Sequence, residues 1–261
     1  MRRKRPKFKI YTTIEDISLP LFFTDIFLQK YEVHAEVYEN GESSKTEFFD
    51  YIYLRDPFNS ALSSDEIKNT TISILEKHND SIFIDKISSL DDIYFEKKSR
   101  QYNLYKKFMP STRIFRKDDI FDAEKKFYKH NLSSRARGIY FSRSQIPEDE
   151  IDLGNVIEQV KINIEYEYRV IVVRGQILNK VILKSSKSER TQVKALRAVE
   201  IDKDLKEFTE AVIENSHHDL IGLDIAKEKE GGYKLIEVNR SPQFKRYYML
   251  TKVNPLEFLT Y

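Results

Sequence analysis

The sequence predicts an α/β chain, α+β in its later half, and three observations carry that reading. Strand-like and helix-like segments alternate through residues 1–90, two β-hairpin patterns fill much of residues 168–238, and polar helical stretches separate them. With 261 residues and 40% hydrophobic content, the chain can bury a core divided over two or three compact lobes.

The elements follow in order. Residues 7–11 read as a strand and 21–31 as a helix. An apolar strand over 48–54 leads into the turn Arg55-Asp56-Pro57-Phe58-Asn59 and a helix over 65–78, with Ser63 and Glu66 at capping-box spacing. A strand over 81–85 completes a small α/β domain, assigned to residues 1–90. The polar helix 99–107 ends at Pro110, because proline disfavours helical backbone in the residue before it. Residues 125–146 hold a strand, a loop and a second strand, with Gly138 at the turn out of the loop. Residues 147–154 are acidic and turn-rich, and they set a boundary between a lobe at 91–155 and another at 156–261. In the latter, 156–160 is a strand, 168–173 and 176–183 form a hairpin about Arg174-Gly175, and 185–197 reads as charged and mobile-looking. A helix over 205–215 precedes a last hairpin, 221–226 and 233–238. There is no internal repeat.

Composition excludes several classes of function. Without cysteine there are no disulfides, thiolate metal sites or cysteine nucleophile, and a reducing cytoplasmic setting is expected. No apolar run approaches the roughly 20 residues that span a bilayer, so no membrane partner is expected. A formal charge of +2, from 44 basic and 42 acidic residues, does not make nucleic acid a default partner, and the basic block 2–9 reads as a solvated leader. His217 and His218 are adjacent rather than at ligand spacing. Neither a phosphate loop ending in Gly-Lys-Ser/Thr nor a dinucleotide glycine fingerprint is present.

Chemistry concentrates in Asp219-Leu-Ile-Gly-Leu-Asp224 and Leu235-Ile-Glu-Val-Asn239. Side chains alternate along a strand, so Glu237 and Asn239 share a face. A turn near Glu230 and Gly231 sets Asp224 across from Glu237, giving two carboxylates and an amide oxygen in one cluster. Mg²⁺ prefers such hard oxygen ligands and completes its octahedron with water and phosphate oxygens.

These motifs resemble the ATP-grasp superfamily, in particular the branch of ligases that add glutamate to a ribosomal protein and related peptide-maturing ligases. The resemblance implies two lobes clasping ATP, with Asp224, Glu237 and Asn239 binding two Mg²⁺ ions, Mn²⁺ being a substitute. Lys129 and the loop through Ser133, Ser134, Arg135, Ala136, Arg137 and Gly138 look like the family's lysine and phosphate-covering loop. Glu158, Gln159 and Val160 resemble the adenine-binding hinge, Glu167 stands where a ribose-binding carboxylate would, and Lys98 matches the first phosphate-binding lysine, with Lys97 equally placed. The segment 184–197 departs from the ligase pattern; Arg190 is assigned as the cation beside the acyl phosphate, with Lys184 and Arg197 as alternatives. Arg240, Arg169 and the run Gln243-Phe244-Lys245-Arg246 fall on the acceptor side.

The implied reaction is attack of a substrate carboxylate on the γ-phosphate of ATP, releasing ADP, followed by displacement of phosphate by an amine or other nucleophile. A peptide or protein carboxylate is the expected substrate, and the oligomeric state is left open. A small-molecule kinase and a non-catalytic nucleotide-binding scaffold are the alternatives.

Overall fold

A computed structural model of the protein describes residues 5–13, 31–37, 47–55, 64–84, 95, 97–132, 138–186, 193–214, 216, 218–240, 242 and 244–259. The chain divides into two compact units, Met1–Ile93 with His217–Leu220, and Tyr94–Ser216 with Ile221–Tyr261.

The first unit contains a four-stranded parallel sheet in the order β2, β1, β3, β4, formed by β1 (Lys7–Thr12), β2 (Glu32–Val37), β3 (Tyr51–Leu54) and β4 (Ile82–Ile84), with α1 (Ser64–Lys77) between the last two strands in sequence. Tyr11, Phe49, Ile52, Leu54 and Ile74 form its buried cluster. Strand β2 is absent from the sequence reading. Its Glu-Val-His-Ala-Glu-Val run is partly exposed at the sheet edge, where polar side chains suit solvent and leave little apolar pattern to detect. The helix expected over 21–31 and the Ser63 cap lie outside the described residues, apart from Tyr31.

In the second unit the smaller sheet runs β5, β8, β6, β7, from β5 (Thr112–Ile114), β6 (Lys126–His130), β7 (Ile139–Tyr140) and β8 (Val156–Val160), all antiparallel. It follows α2 (Lys98–Tyr105), and α3 (Glu148–Asp152) links β7 to β8. Residues 147–154 therefore connect two strands of one sheet, and the sheets divide after Val160 rather than before Val156. The acidic stretch reads as a linker, but Ile151 is buried against Phe115, Tyr128 and Ile146 and anchors it.

The larger sheet runs β12, β11, β9, β13, β14, with β10 paired to β9. Its strands are β9 (Ile164–Val173), β10 (Gln176–Ile177), β11 (Lys180–Ser186), β12 (Val193–Glu200), β13 (Leu220–Glu228) and β14 (Tyr233–Asn239), with α4 (Lys203–Ile213) before β13 and α5 (Phe244–Thr251) after β14. Arg174 (φ 50) and Gly175 (φ 74) form the two-residue turn between β9 and β10, whose left-handed backbone matches strand twist. The Asp202 side chain caps α4 by accepting the Leu205 N–H at 2.8 Å. Val170, Val172, Leu183, Leu205, Val212 and Leu235 belong to the core beneath this sheet. Of the charged, mobile-looking segment expected over 185–197, the described residues belong to β11 and β12, which pair antiparallel through Lys180–Ser186 and Val193–Glu200.

Candidate active site

The β13–β14 register sets Gly222 opposite Asn239, Leu223 opposite Val238 and Asp224 opposite Glu237. Directly opposed residues share a face, so Asp224, Glu237 and Asn239 lie on one side. Beyond that pair Ile225 opposes Leu235, leaving Ile236 as an extra residue on β14. Such a bulge bends the strand and re-aims its neighbours, and here it adjoins Glu237. Gly222 answers a close approach: a Cβ there would lie 2.7 Å from the Cβ of Pro242.

Cations surround this face. Arg169 on β9 grips Asp224 in a fork, Nε to Oδ1 at 2.7 Å and Nη2 to Oδ2 at 2.6 Å. Lys184 on β11 lies 3.0 Å from Asp224 Oδ1 and also pairs with Glu167, its neighbour across the β9–β11 ladder. Burial alone would raise the Asp224 carboxyl, but Arg169 and then Lys184 outweigh it and hold the group well below the usual carboxylate range. Glu167 is shifted upward, by burial first and by the charge of Asp224 second, with Lys184 and Arg169 only partly offsetting this.

One lysine contacts β14, and a second lies on β6 within reach of its charge. The Lys98 ammonium, buried on α2, sits 2.5 Å from Glu237 Oε1. Lys129 on β6 donates to Gln159 Oε1 at 3.2 Å. Burial pulls the Lys129 ammonium down to about 8; the repulsion of Lys98 adds to this and the attraction of Glu237 opposes it.

This shift predicts how stability depends on pH. A lysine whose folded value lies below its unfolded value of 10.5 opposes folding at pH 7, and that opposition fades as pH rises through the interval between them. Allowing for its partial exposure, charged Lys129 costs roughly 2–3 kcal/mol. Lys129→Met is therefore expected to raise the melting temperature of the nucleotide-free protein at pH 7 by roughly 5 °C. The gain should shrink toward pH 10, and scanning calorimetry at the two pH values checks it.

Glu158 and Gln159 are buried on β8. Gln159 Nε2 donates to Thr112 Oγ1 at 2.9 Å, leaving its oxygen to Lys129. Arg113 Nε at 2.6 Å and Lys126 Nζ at 2.8 Å both address Glu158 Oε1. Glu158 Oε2 is buried without a hydrogen-bond partner among the described residues, and so is Asn239 Nδ2. The Val160 N–H is donated to Ser111 O at 2.9 Å.

Gly138 takes positive φ (68°) and its carbonyl accepts the His130 N–H at 2.7 Å, closing the base of the loop after β6. Ser133, Ser134, Arg135, Ala136, Arg137, Arg190 and Gln243 lie outside the described residues. Of the other two candidate cations, Lys184 reaches the carboxylates, while Arg197 is exposed on β12 opposite Leu183. Arg240 is buried after β14, and Lys245 and Arg246 are exposed on α5. Sequence reading passed over Arg113, Lys126 and Gln101, whose one available signal was the place of Gln101 a helical turn beyond Lys98.

No protein-family model and no curated protein matches the sequence. Solved structures do. The ATP-grasp ligase PsnB, complexed with a minimal precursor, is 14% identical with a TM-score of 0.67 over 98% of each chain. D-cycloserine synthetase DcsG is 11% identical with a TM-score of 0.70 over 97% of each chain. A RiPP-associated ATP-grasp ligase of Chryseobacterium gregarium, in complex with ADP and a leader and core peptide, is 17% identical with a TM-score of 0.64, over 97% of this chain and 94% of that one.

The chain has the ATP-grasp fold. Within the ATP-grasp framework, the residues present suit a nucleotide and a divalent ion. Asn239 Nδ2 is a buried donor in want of an anion. The acid and amide oxygens of 224, 237 and 239 form a hard donor set. Asp224 is the least free of them, since a divalent ion must share its oxygens with Arg169 and Lys184.

Proposed function

We propose that this protein is an ATP-dependent carboxylate–amine ligase that releases ADP and phosphate and acts on a peptide or protein carboxylate. The observation that carries this reading is the contact of Lys98 with Glu237, on the face that Asp224 and Asn239 share, within an ATP-grasp fold. In this ATP-grasp frame the hinge Glu158-Gln159-Val160 binds adenine, with the Gln159 side chain, on the Lys129 face of β8, toward it; Lys98 and Lys129 neutralise the phosphates, with Ser134 and Gly138 in the covering loop.

Asp224, Glu237 and Asn239 would hold Mg²⁺, two ions with Mn²⁺ as a substitute, whose chemistry there is to neutralise phosphate charge and polarise the γ-phosphate. Phosphoryl transfer asks mainly for positioning and charge neutralisation, which fixed cations supply without a catalytic base. Arg169 and Lys184, with Arg190 and Arg240, form the cationic side on which an acyl phosphate is stabilised. Glu167 is paired with Lys184 and feels Asp224, so we assign it to orienting that side, in place of the ribose contact that resemblance implies.

A peptide substrate is supported by PsnB and the Chryseobacterium gregarium ligase, which were solved with precursor or leader and core peptides, and ATP with Mg²⁺ by a PsnB complex with Mg and ADP. The organisation proposed is an N-terminal α/β domain over 1–90 and two lobes that meet at the hinge near 160. No helix among the described residues is long and apolar enough to cross a membrane, and use of ATP suits a cytoplasmic setting. The test is product analysis with labelled ATP and a peptide library: ADP and free phosphate, dependent on peptide, are expected. AMP with pyrophosphate excludes the mechanism, and a stable phosphorylated product without free phosphate identifies a kinase.

A further inference from the structure

Strand β14 ends the path of the larger sheet, with no strand beyond it among the described residues. At Val238, between Glu237 and Asn239, its backbone is met by a side chain instead. Gln101 Nε2 donates to Val238 O at 2.7 Å, and the Val238 N–H donates to Gln101 Oε1 at 3.1 Å. One primary amide thus makes the two bonds that a residue of an adjoining strand would make. Gln101 is 0% exposed, so solvent cannot substitute for it.

Helix α2, which carries Gln101, is tied at both ends of this link. One turn earlier Lys98 contacts Glu237, on the same face as Gln101. The start of α2 is fastened to the segment after β6: Lys98 N donates to Asn131 O at 2.8 Å, Ser99 N to Asn131 Oδ1 at 2.9 Å, and Asn131 Nδ2 to Ser99 Oγ at 2.9 Å. Asn131 stands two residues after Lys129.

We infer that Gln101 is a positioning residue of the divalent-ion site, fixing the peptide at Val238 and with it the directions of Glu237 and Asn239. The need arises from the bulge at Ile236, which interrupts the inner ladder beside Glu237, where the ligand side chains must be set closely. Gln101 holds the strand there from its outer side. Through α2 and Asn131 it also keeps that strand in step with the one bearing Lys129, so cation and carboxylates keep a common frame. A displacement of about 1 Å in such a site costs about a hundredfold in rate.

The inference rests on the nucleotide and metal reading above, and its test separates the two. Free Mn²⁺ is followed by electron paramagnetic resonance as it titrates the full chain with ADP present, in the wild type, Gln101→Met, Gln101→Asn and Val212→Ala, with melting temperatures measured in parallel. Val212 lies in the core on α4 and serves as a destabilised control. Both Gln101 variants are expected to weaken Mn²⁺ by about tenfold or more, the usual effect of losing a group that orients a ligand. Val212→Ala should lose comparable thermal stability and keep wild-type affinity. Wild-type Mn²⁺ affinity in a folded Gln101→Asn protein overturns the inference, and so does an equal loss in Val212→Ala, which reduces the effect to stability. If the wild type binds no Mn²⁺ with ADP, the underlying nucleotide and metal reading falls, and the inference with it.

Discussion

Glu237→Ala is expected to lower ATP turnover by about 10³-fold, the scale set by removing one preorganised charge-stabilising group. The loss has two parts. A carboxylate is removed from the oxygen set, and the buried Lys98 ammonium loses the partner 2.5 Å away. Glu237→Gln separates them, because it keeps an oxygen while removing the charge. Its turnover should fall between that of the wild type and Glu237→Ala. The Glu237 side chain is 25% exposed, so either variant should remain folded, with Lys98 accounting for most of any fall in melting temperature. Phosphate release with calorimetric ADP binding checks this result; unchanged turnover in Glu237→Ala sinks the proposed role.

Arg169→Met is expected to destabilise the protein by about 3 kcal/mol, the low end of the cost of stranding a buried charge, because Lys184 still contacts Asp224. With side chains only 17% and 9% exposed, Arg169 and Asp224 are desolvated together, and their worth lies in being paired. Arg169→Met/Asp224→Asn should therefore recover most of the loss, to within about 1 kcal/mol of the wild type, since neither charge is left alone. Since the Asp224 carboxyl is held below its ordinary value, the stabilisation of this pair is complete above about pH 4 and is lost only as pH falls further toward strong acid. Urea unfolding of Arg169→Met, Asp224→Asn and the double variant measures these differences; additive single-site losses would show that the two residues act independently.

The parts of the molecule that were legible in the sequence share one property: their signal is local. The β13–β14 hairpin announces itself by apolar alternation and a glycine turn, which fix the pairing of Asp224 with Glu237 through register alone. The hairpin at Arg174-Gly175 and helix α1 were readable for the same reason. Edge strands β2 and β12 were not, because solvent on one side permits charges that blur the alternation. Helix α5, just after the run of site residues, is absent from the sequence reading. Contacts between distant residues left no trace in spacing. The grip of Arg169 on Asp224 joins positions 55 apart, and that of Gln101 on Val238 joins positions 137 apart. Each had to be seen in three dimensions, and they show that Asp224, Glu237 and the Val238 backbone of the proposed metal site are already held by cations and one amide.

Hydroxylamine trapping tests the ligase proposal most directly. The full chain is incubated with Mg²⁺, ATP, a peptide library rich in acidic side chains, and hydroxylamine as a general amine acceptor, and the products are read by mass spectrometry beside the nucleotide. The account predicts peptide hydroxamates formed in step with ADP and phosphate, and their absence in Glu237→Ala. ATP consumed with phosphorylated peptide and no hydroxamate, or with AMP as the nucleotide product, would contradict it.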